Sequence, residues 1–271
     1  MIALCLASAG SGCLLTTDLS NLTSDAADAS DASARDGGAI SDAAGAPDAP
    51  DGSAPYRSVV MSDKPVAYYR LGETSGTIAA DETGQHAGTY QGGVTLGVPG
   101  ALVGDPSSAI ALDGTSGYVS IGTTLDFTAQ APFSIEAWLK PMPVTSGITR
   151  VICKRAPMQG YSIYIESTGV VFEMYRDNAN AKIFGPALAP DAFTHLVATY
   201  DGSTERLFVN GAQVGTTPST IAMNVNTGLL GIGSYSGNGD WYSGAIDEVA
   251  LYAAALPPAR VLAHYQSGKA P

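Results

Sequence analysis

The stretch GAIDEVALYAAAL (244–256) reads as a β-strand with an acid pair, Asp247-Glu248, set inside an apolar run. Side chains alternate between the two faces of a strand. Alternation assigns Ala245, Asp247, Val249 and Leu251 to one face, and Ile246, Glu248, Ala250 and Tyr252 to the other. Each face then holds one acid among residues suited to burial. A buried carboxylate without a partner is costly, so each acid needs water, a hydrogen-bond donor or a cation.

Upstream, the same kind of segment recurs. VAYYRL (66–71), SAIALDG (108–114), YVSIG (118–122), FSIEAWLKP (133–141), RVICKR (150–155), YSIYIES (161–167), GVVFEMYRD (169–177), HLVATYDG (195–202), ERLFVNG (205–211) and LLGIGSY (229–235) all alternate or run apolar between Gly, Asn, Asp and Pro turns. Asn210-Gly211 and Asp201-Gly202 are hairpin signals. Helix signals are nearly absent. The exception is LPPARVLAHY (256–265), with prolines where a helix tolerates them. Leu256, Val261, Leu262 and Tyr265 are expected to dock it. Many hairpin-spaced strands with so little helix imply an all-β, two-sheet antiparallel jelly-roll sandwich over 56–271 with a short C-terminal helix.

The first fifth of the chain differs in kind. SDAADASDASARDGGAISDAAGAPDAPDGSAP, within 20–55, lacks aromatics and any hydrophobic period, so burial cannot offset its ordering entropy. Residues 13–55 are expected to form a disordered acidic linker, extended by self-repulsion. Residues 1–55 hold eight Asp and one Arg, and so carry most of the formal net charge of −12. An acidic balance argues against a nucleic-acid partner, which requires a basic patch. MIALCLASAGSGC (1–13) resembles a bacterial lipoprotein signal. The resemblance implies removal of residues 1–12, lipidation of Cys13, and an extracytoplasmic protein anchored to the cell envelope, with Leu14 suggesting the outer membrane. An ordinary secretory signal is the alternative. Under the lipoprotein reading, membrane contact would run only through the lipid. Cys5 would leave with the signal, so the domain keeps only Cys153, expected to be a small buried hydrophobe with no disulfide.

YYRLGETSGTIAADETGQHAGTY, AIALDGTSGYVSI, FSIEAWLKP, HLVATYDGSTERLFVNG and GAIDEVALYAAALPPARVLAHY follow one another in order. Together they resemble the laminin-G-like, concanavalin A-like jelly-roll domain over nearly all of 56–267, with Phe193 where the family often has Trp. The resemblance implies roughly a dozen strands in two curved sheets. It also implies a structural Ca²⁺ held by Asp247 and Asp81, with main-chain carbonyls completing the shell and Glu73 as a further candidate. The alternative is that Asp247 caps loop N–H groups and Asp81 forms an Asx turn. For Glu248, solvent or an Arg partner is expected.

A retaining glycosidase needs two carboxylates about 5–5.5 Å apart. Glu136 stands alone on its strand, Glu166 and Glu173 are split by a turn, and Asp247 and Glu248 alternate. None of His86, His195 and His264 sits in a metalloprotease or nucleophile-elbow motif. Catalysis is therefore not expected. Trp138 is expected in the interior, or beside Glu136 and Lys140 on a concave sheet. Trp241 is expected to point outward from SYSGNGDWYSG beside Tyr235, Asn238 and Asp240, with Tyr242 inward. A second loop set brings Lys154, Arg155, Tyr161, Tyr175, Arg176 and Asn178. These residues suit a carbohydrate surface, or else form a solvated rim. The expectation is a monomeric, surface-tethered, lectin-like module for a polysaccharide, or for a glycosylated or bare protein on a cell surface. A glycan-active hydrolase or lyase and a purely adhesive envelope protein are the alternatives.

Overall fold

The computed structural model describes residues 55–156 and 158–270. The expected signal, linker and lipidation at Cys13 lie outside these residues. Among the described residues two helices, α1 (Tyr56–Ser62) and α2 (Pro258–Lys269), flank sixteen strands. In order these are β1 (Ala67–Tyr69), β2 (Ile78–Ala79), β3 (Gly88–Gln91), β4 (Val94–Pro99), β5 (Ser108–Asp113), β6 (Tyr118–Gly122), β7 (Phe133–Pro141) and β8 (Ile148–Ala156). Then come β9 (Gln159–Glu166), β10 (Gly169–Arg176), β11 (Ala179–Phe184), β12 (Thr194–Tyr200), β13 (Thr204–Val209), β14 (Ala212–Pro218), β15 (Leu230–Ile232) and β16 (Ser243–Tyr252).

The strands form two antiparallel eight-stranded sheets. The front sheet runs β14-β13-β12-β7-β16-β5-β4, with β1 also on β16; the back sheet runs β11-β10-β9-β8-β15-β6-β3-β2. Between them lies a core that includes Phe133, Ile135, Ile163, Phe172, Leu196, Ile232, Ile246 and Leu251. The Asn210-Gly211 hairpin has the positive φ at both positions that a tight primed turn requires. At Asp201-Gly202 only the glycine is left-handed, and the Asp201 carboxylate instead accepts the Ser203 and Thr204 N–H groups. Asp177-Asn178 makes a third tight hairpin, both residues with positive φ.

Strict alternation fails in β16, which corrects the face assignment of the acid pair. The register against β7 shifts between Asp247 and Ala250, and Glu248 adopts φ +50. This is a β-bulge, where one extra residue resets the alternation. It falls where β16 changes neighbours: Ser243–Ile246 pair with β5, and Val249–Leu251 pair with β1. After the bulge Val249 and Leu251 join the inter-sheet core, while Ala250 and Tyr252 turn outward. Both acids consequently lie on the outward side of the front sheet. Asp247 pairs across with outward-facing Trp138, and Glu248 meets the Tyr68 hydroxyl and, at 3.0 Å, Arg70 Nε.

A second, smaller apolar layer covers that outward side. Tyr56 and Val60 of α1 and Val261 of α2 pack with Tyr68, Trp138, Val197, Phe208 and Tyr252. The expected docking of Leu256 and Val261 is observed, whereas Leu262 is exposed. Gly268 lets α2 close on the sheet, because a Cβ there would lie 2.4 Å from the Trp138 ring. Helix α1 has no counterpart in the sequence reading; it is a seven-residue element whose apolar side only the front sheet makes useful.

Candidate functional site

Beneath α1 and α2, polar groups converge on Glu136, which is fully buried. It accepts hydrogen bonds from the Tyr56 hydroxyl (2.7 Å) and the Tyr252 hydroxyl (2.6 Å). It also meets His195 Nε2 (2.7 Å) and His264 Nδ1 (2.9 Å), and His264 Nε2 reaches Asp63 at 2.7 Å. Burial would lower His264, but Glu136 and Asp63 outweigh it and push the imidazole up to about 9. Burial dominates at His195 and lowers it. At Glu136 burial is outweighed by the two imidazoles, which hold the carboxyl well below its usual range. The alternation of FSIEAWLKP does place Glu136, Trp138 and Lys140 on one face, but Glu136 and Trp138 are closed off by helices.

The acids expected to hold calcium are arranged otherwise. Asp81 Oδ1 accepts the Tyr68 and Thr83 N–H groups, and its Oδ2 takes the Thr83 hydroxyl and the Gln85 and His86 N–H groups. A carboxylate offers about four lone-pair sites, so five donors leave Asp81 none for a metal. It is a loop cap. Glu73 is likewise engaged, by the Ala80 N–H and the Tyr90 hydroxyl. Asp247 Oδ2 accepts the Ala101 N–H at 2.8 Å, while its buried Oδ1 has no partner among the described residues. Burial and the neighbouring Glu248 push Asp247 well up, and burial pushes Glu248 up to about 7 despite Arg70. No group of three or more His, Cys, Asp or Glu suited to a metal occurs among the described residues. The side chains present do not fit the expected Asp81–Asp247 calcium site.

The back sheet is different. Its outward rows run Arg155–Gly160–Tyr175, Cys153–Ser162–Glu173–Lys182 and Arg150–Tyr164–Val171 across β8, β9, β10 and β11. Glu173 receives Arg155 at 3.1 Å, Lys182 at 3.3 Å and Arg150 at 3.9 Å. The Arg150 guanidinium lies between the rings of Tyr164 (4.7 Å) and Tyr235 (5.5 Å), and Arg150 Nε meets Asp240 at 3.2 Å. Arg155 stacks on Tyr175 at 4.1 Å. Gly160 stands between the two in the row and has no room for a side chain, since a Cβ there would lie 2.1 Å from the Lys154 carbonyl oxygen. Arg155 Nε has no partner among the described residues. Farther along, Trp241 rests on Tyr118 at 5.6 Å between centroids.

Of the expected ligand residues, the fold brings Tyr175, Tyr235 and Asp240 into this lattice, with half-buried Trp241 and exposed Asn238 on the same loop. It removes others. Lys154 and Tyr161 face inward, since the register pairs them with each other while Cys153 and Ser162 take the outer side. Lys154 is buried against Asp126 and the Gly228 carbonyl, and burial lowers its pKa. Tyr161 donates to the Leu125 carbonyl amid Phe127 and Phe133. Arg176 ties down the Ala222 carbonyl and pairs with Asp177. Arg150, Tyr164, Glu173 and Lys182 were not among the expected ligand residues. The i, i+2 spacing of Ser162 and Tyr164 in YSIYIES and of Glu173 and Tyr175 in VFEMYR was the available signal for two of them; Arg150 and Lys182 lie on other strands. Cys153 is free and buried, as expected.

The chain spans about half the length of the solved structures it resembles. Among these are the binding domain of botulinum neurotoxin DC in complex with SialylT (14% identity, TM-score 0.60, covering 76% of this chain and 52% of that one) and the botulinum neurotoxin serotype C1 binding domain (13%, 0.59, 78% and 53%). The binding domain of Paraclostridial Mosquitocidal Protein 1 is a third (14%, 0.57, 76% and 52%). At such identity the likeness is one of fold. No curated protein matches the sequence. The Laminin_G_3 family, described as the concanavalin A-like lectin/glucanases superfamily, matches residues 113–262, more than half of the chain. The chain therefore belongs to the concanavalin A-like lectin/glucanase superfamily.

Proposed function

We infer that this is a non-catalytic recognition module whose outer back sheet binds carbohydrate. The observation that carries this reading is the part-exposed Arg155–Tyr175 stack, with Tyr235 and Trp241 part-exposed on a neighbouring loop, on a face that neither described helix covers. Arg150, Tyr164 and Glu173 are buried and support it from within. Rings in this setting stack on the C–H faces of a sugar, and guanidinium N–H groups donate to its hydroxyls. The fold offers a further analogy: botulinum neurotoxin DC has a binding domain known in complex with SialylT, and cell entry of botulinum neurotoxin type C depends on two ganglioside molecules.

Against the hydrolase alternative, the carboxylates that the bulge and the helices gather, Glu136, Asp247 and Glu248, are fully buried. Glu173 is held by three cations. A retaining mechanism needs two accessible acids about 5–5.5 Å apart.

The test is a glycan-array screen of the full chain beside its Tyr175→Ala and Arg155→Ala variants. Binding to a defined sugar class that both substitutions abolish supports the reading. Binding that survives both, or sugar release from a polysaccharide, overturns it. Display from a lipid at Cys13 is part of the same proposal. Labelling with a radioactive fatty acid, lost in Cys13→Ser, is the expected result.

A further inference from the structure

On the outward side of the front sheet, beside the helix-covered layer, lies a cleft of about 340 Å³. Its floor is made of small residues in register, Ala111 of β5 and Ala245 of β16, next to Lys140 of β7. Val98 and Pro99 form one wall, and Met142 and Pro190 the other. A smaller hollow of about 170 Å³ continues beyond Met142 and Pro190, and Glu166 lines it. The lining is apolar apart from Lys140 and Ser243. Lys140 lies 5.3 Å from the centre of the Phe193 ring and has no carboxylate partner among the described residues. The Lys140 ammonium thus stands beside apolar walls with its charge unmatched by any described carboxylate.

We propose that this cleft binds a small amphiphilic monocarboxylate, its head group on Lys140 Nζ and its apolar tail over Ala111 and Ala245 toward Met142 and Pro190. Charge fixes the orientation: Lys140 stands at the large hollow and Glu166 at the far one, so an anionic head is favoured only at the Lys140 end. Size selects a single small molecule over a bilayer surface, since ligand pockets begin at about 300 Å³. The site is separate from the back-sheet lattice, and the proposal does not depend on the carbohydrate reading.

Titration calorimetry of the full chain with decanoate and with decan-1-ol tests it, alongside amide chemical-shift mapping. Decanoate is expected to bind one to one and to shift Ala111, Gly244 and Ala245. Decan-1-ol should bind more weakly. Lys140→Glu is expected to weaken decanoate roughly tenfold, the scale of a hydrogen bond to a charged group, whereas Lys140→Arg retains it. Unchanged thermal unfolding of both variants separates loss of the site from loss of the fold. Three results overturn the proposal: no decanoate binding, affinity indifferent to Lys140→Glu, or binding to phosphatidylglycerol vesicles without binding to monomeric decanoate.

Discussion

The two sheets carry similar chemistry on their outward faces and use it differently. On the front sheet Glu136 gathers two tyrosines and two histidines, and two helices seal the assembly from water. On the back sheet Glu173 is also buried and gathers two arginines and a lysine among tyrosines, but neither described helix covers it, and Arg155, Lys182 and Tyr175 of this cluster stay part-exposed. A carboxylate ringed by cations and aromatics is therefore not by itself a functional site. Both carboxylates are buried, and access separates the two clusters only at their margins, where the back sheet leaves Arg155, Lys182 and Tyr175 part-exposed to meet a partner.

The sharpest break of that comparison is Glu136→Ala. It strips two imidazoles and two phenols of their common acceptor, and removing one member of a buried charged network costs about 3–5 kcal/mol. Denaturant unfolding measures it; a loss below about 1 kcal/mol would mean that the sealed face contributes no more than an open one. Next is the pH dependence of the same network. The folded pKa of His264 lies above its unfolded value, so its contribution is full below about pH 6.5 and is lost as pH rises through about 9. The amount is on the order of 3 kcal/mol. Calorimetric scans between these pH values should show a fall that His264→Leu removes.

Glu205 sharpens the contrast from inside. It is buried on β13, and burial raises its pKa to about 7 against the opposing hydrogen bond of the Ser219 side chain. A raised carboxyl pKa acts in the same sense: stability is greatest below about pH 4.5 and declines as pH climbs to about 7. Glu205→Gln should remove that decline and add about 1–3 kcal/mol at pH 8, read by urea unfolding. The smallest effect on stability is expected on the open face. Arg155→Ala and Tyr175→Ala should each cost about 1 kcal/mol or less while abolishing sugar binding. A larger cost would make the back lattice structural too.

The sandwich was legible because its signals are local. Alternation located the long strands, and Asn210-Gly211 announced its hairpin. Short or polar strands such as β2, β4 and β11 were not found, since their pairing is supplied by neighbours far along the chain. Helix α1 was missed for the same reason. The Asp247-Glu248 pair was misread because a bulge is invisible to strict alternation. Its cause is the exchange of β5 for β1 as partner of β16, a fact of topology. Tyr175, Tyr235 and Asp240 were reachable as loop-adjacent polar residues, whereas the inward turn of Lys154 and Tyr161 follows from hairpin register. The convergence of His195 and His264 on Glu136 joins residues 59 and 128 positions apart. No spacing rule reports such a meeting.

The placement of the two tryptophans gives the molecule a pair of built-in optical reporters. Trp138 is fully buried under α2, with the Lys269 ammonium 5.0 Å from its ring, and Trp241 is half-exposed on the back-sheet loop against Tyr118. One indole should emit toward the blue and resist iodide, while the other emits toward the red and is quenched. Undocking of the helix and occupation of the open sheet would then appear as separate spectral changes in one cuvette, without a label.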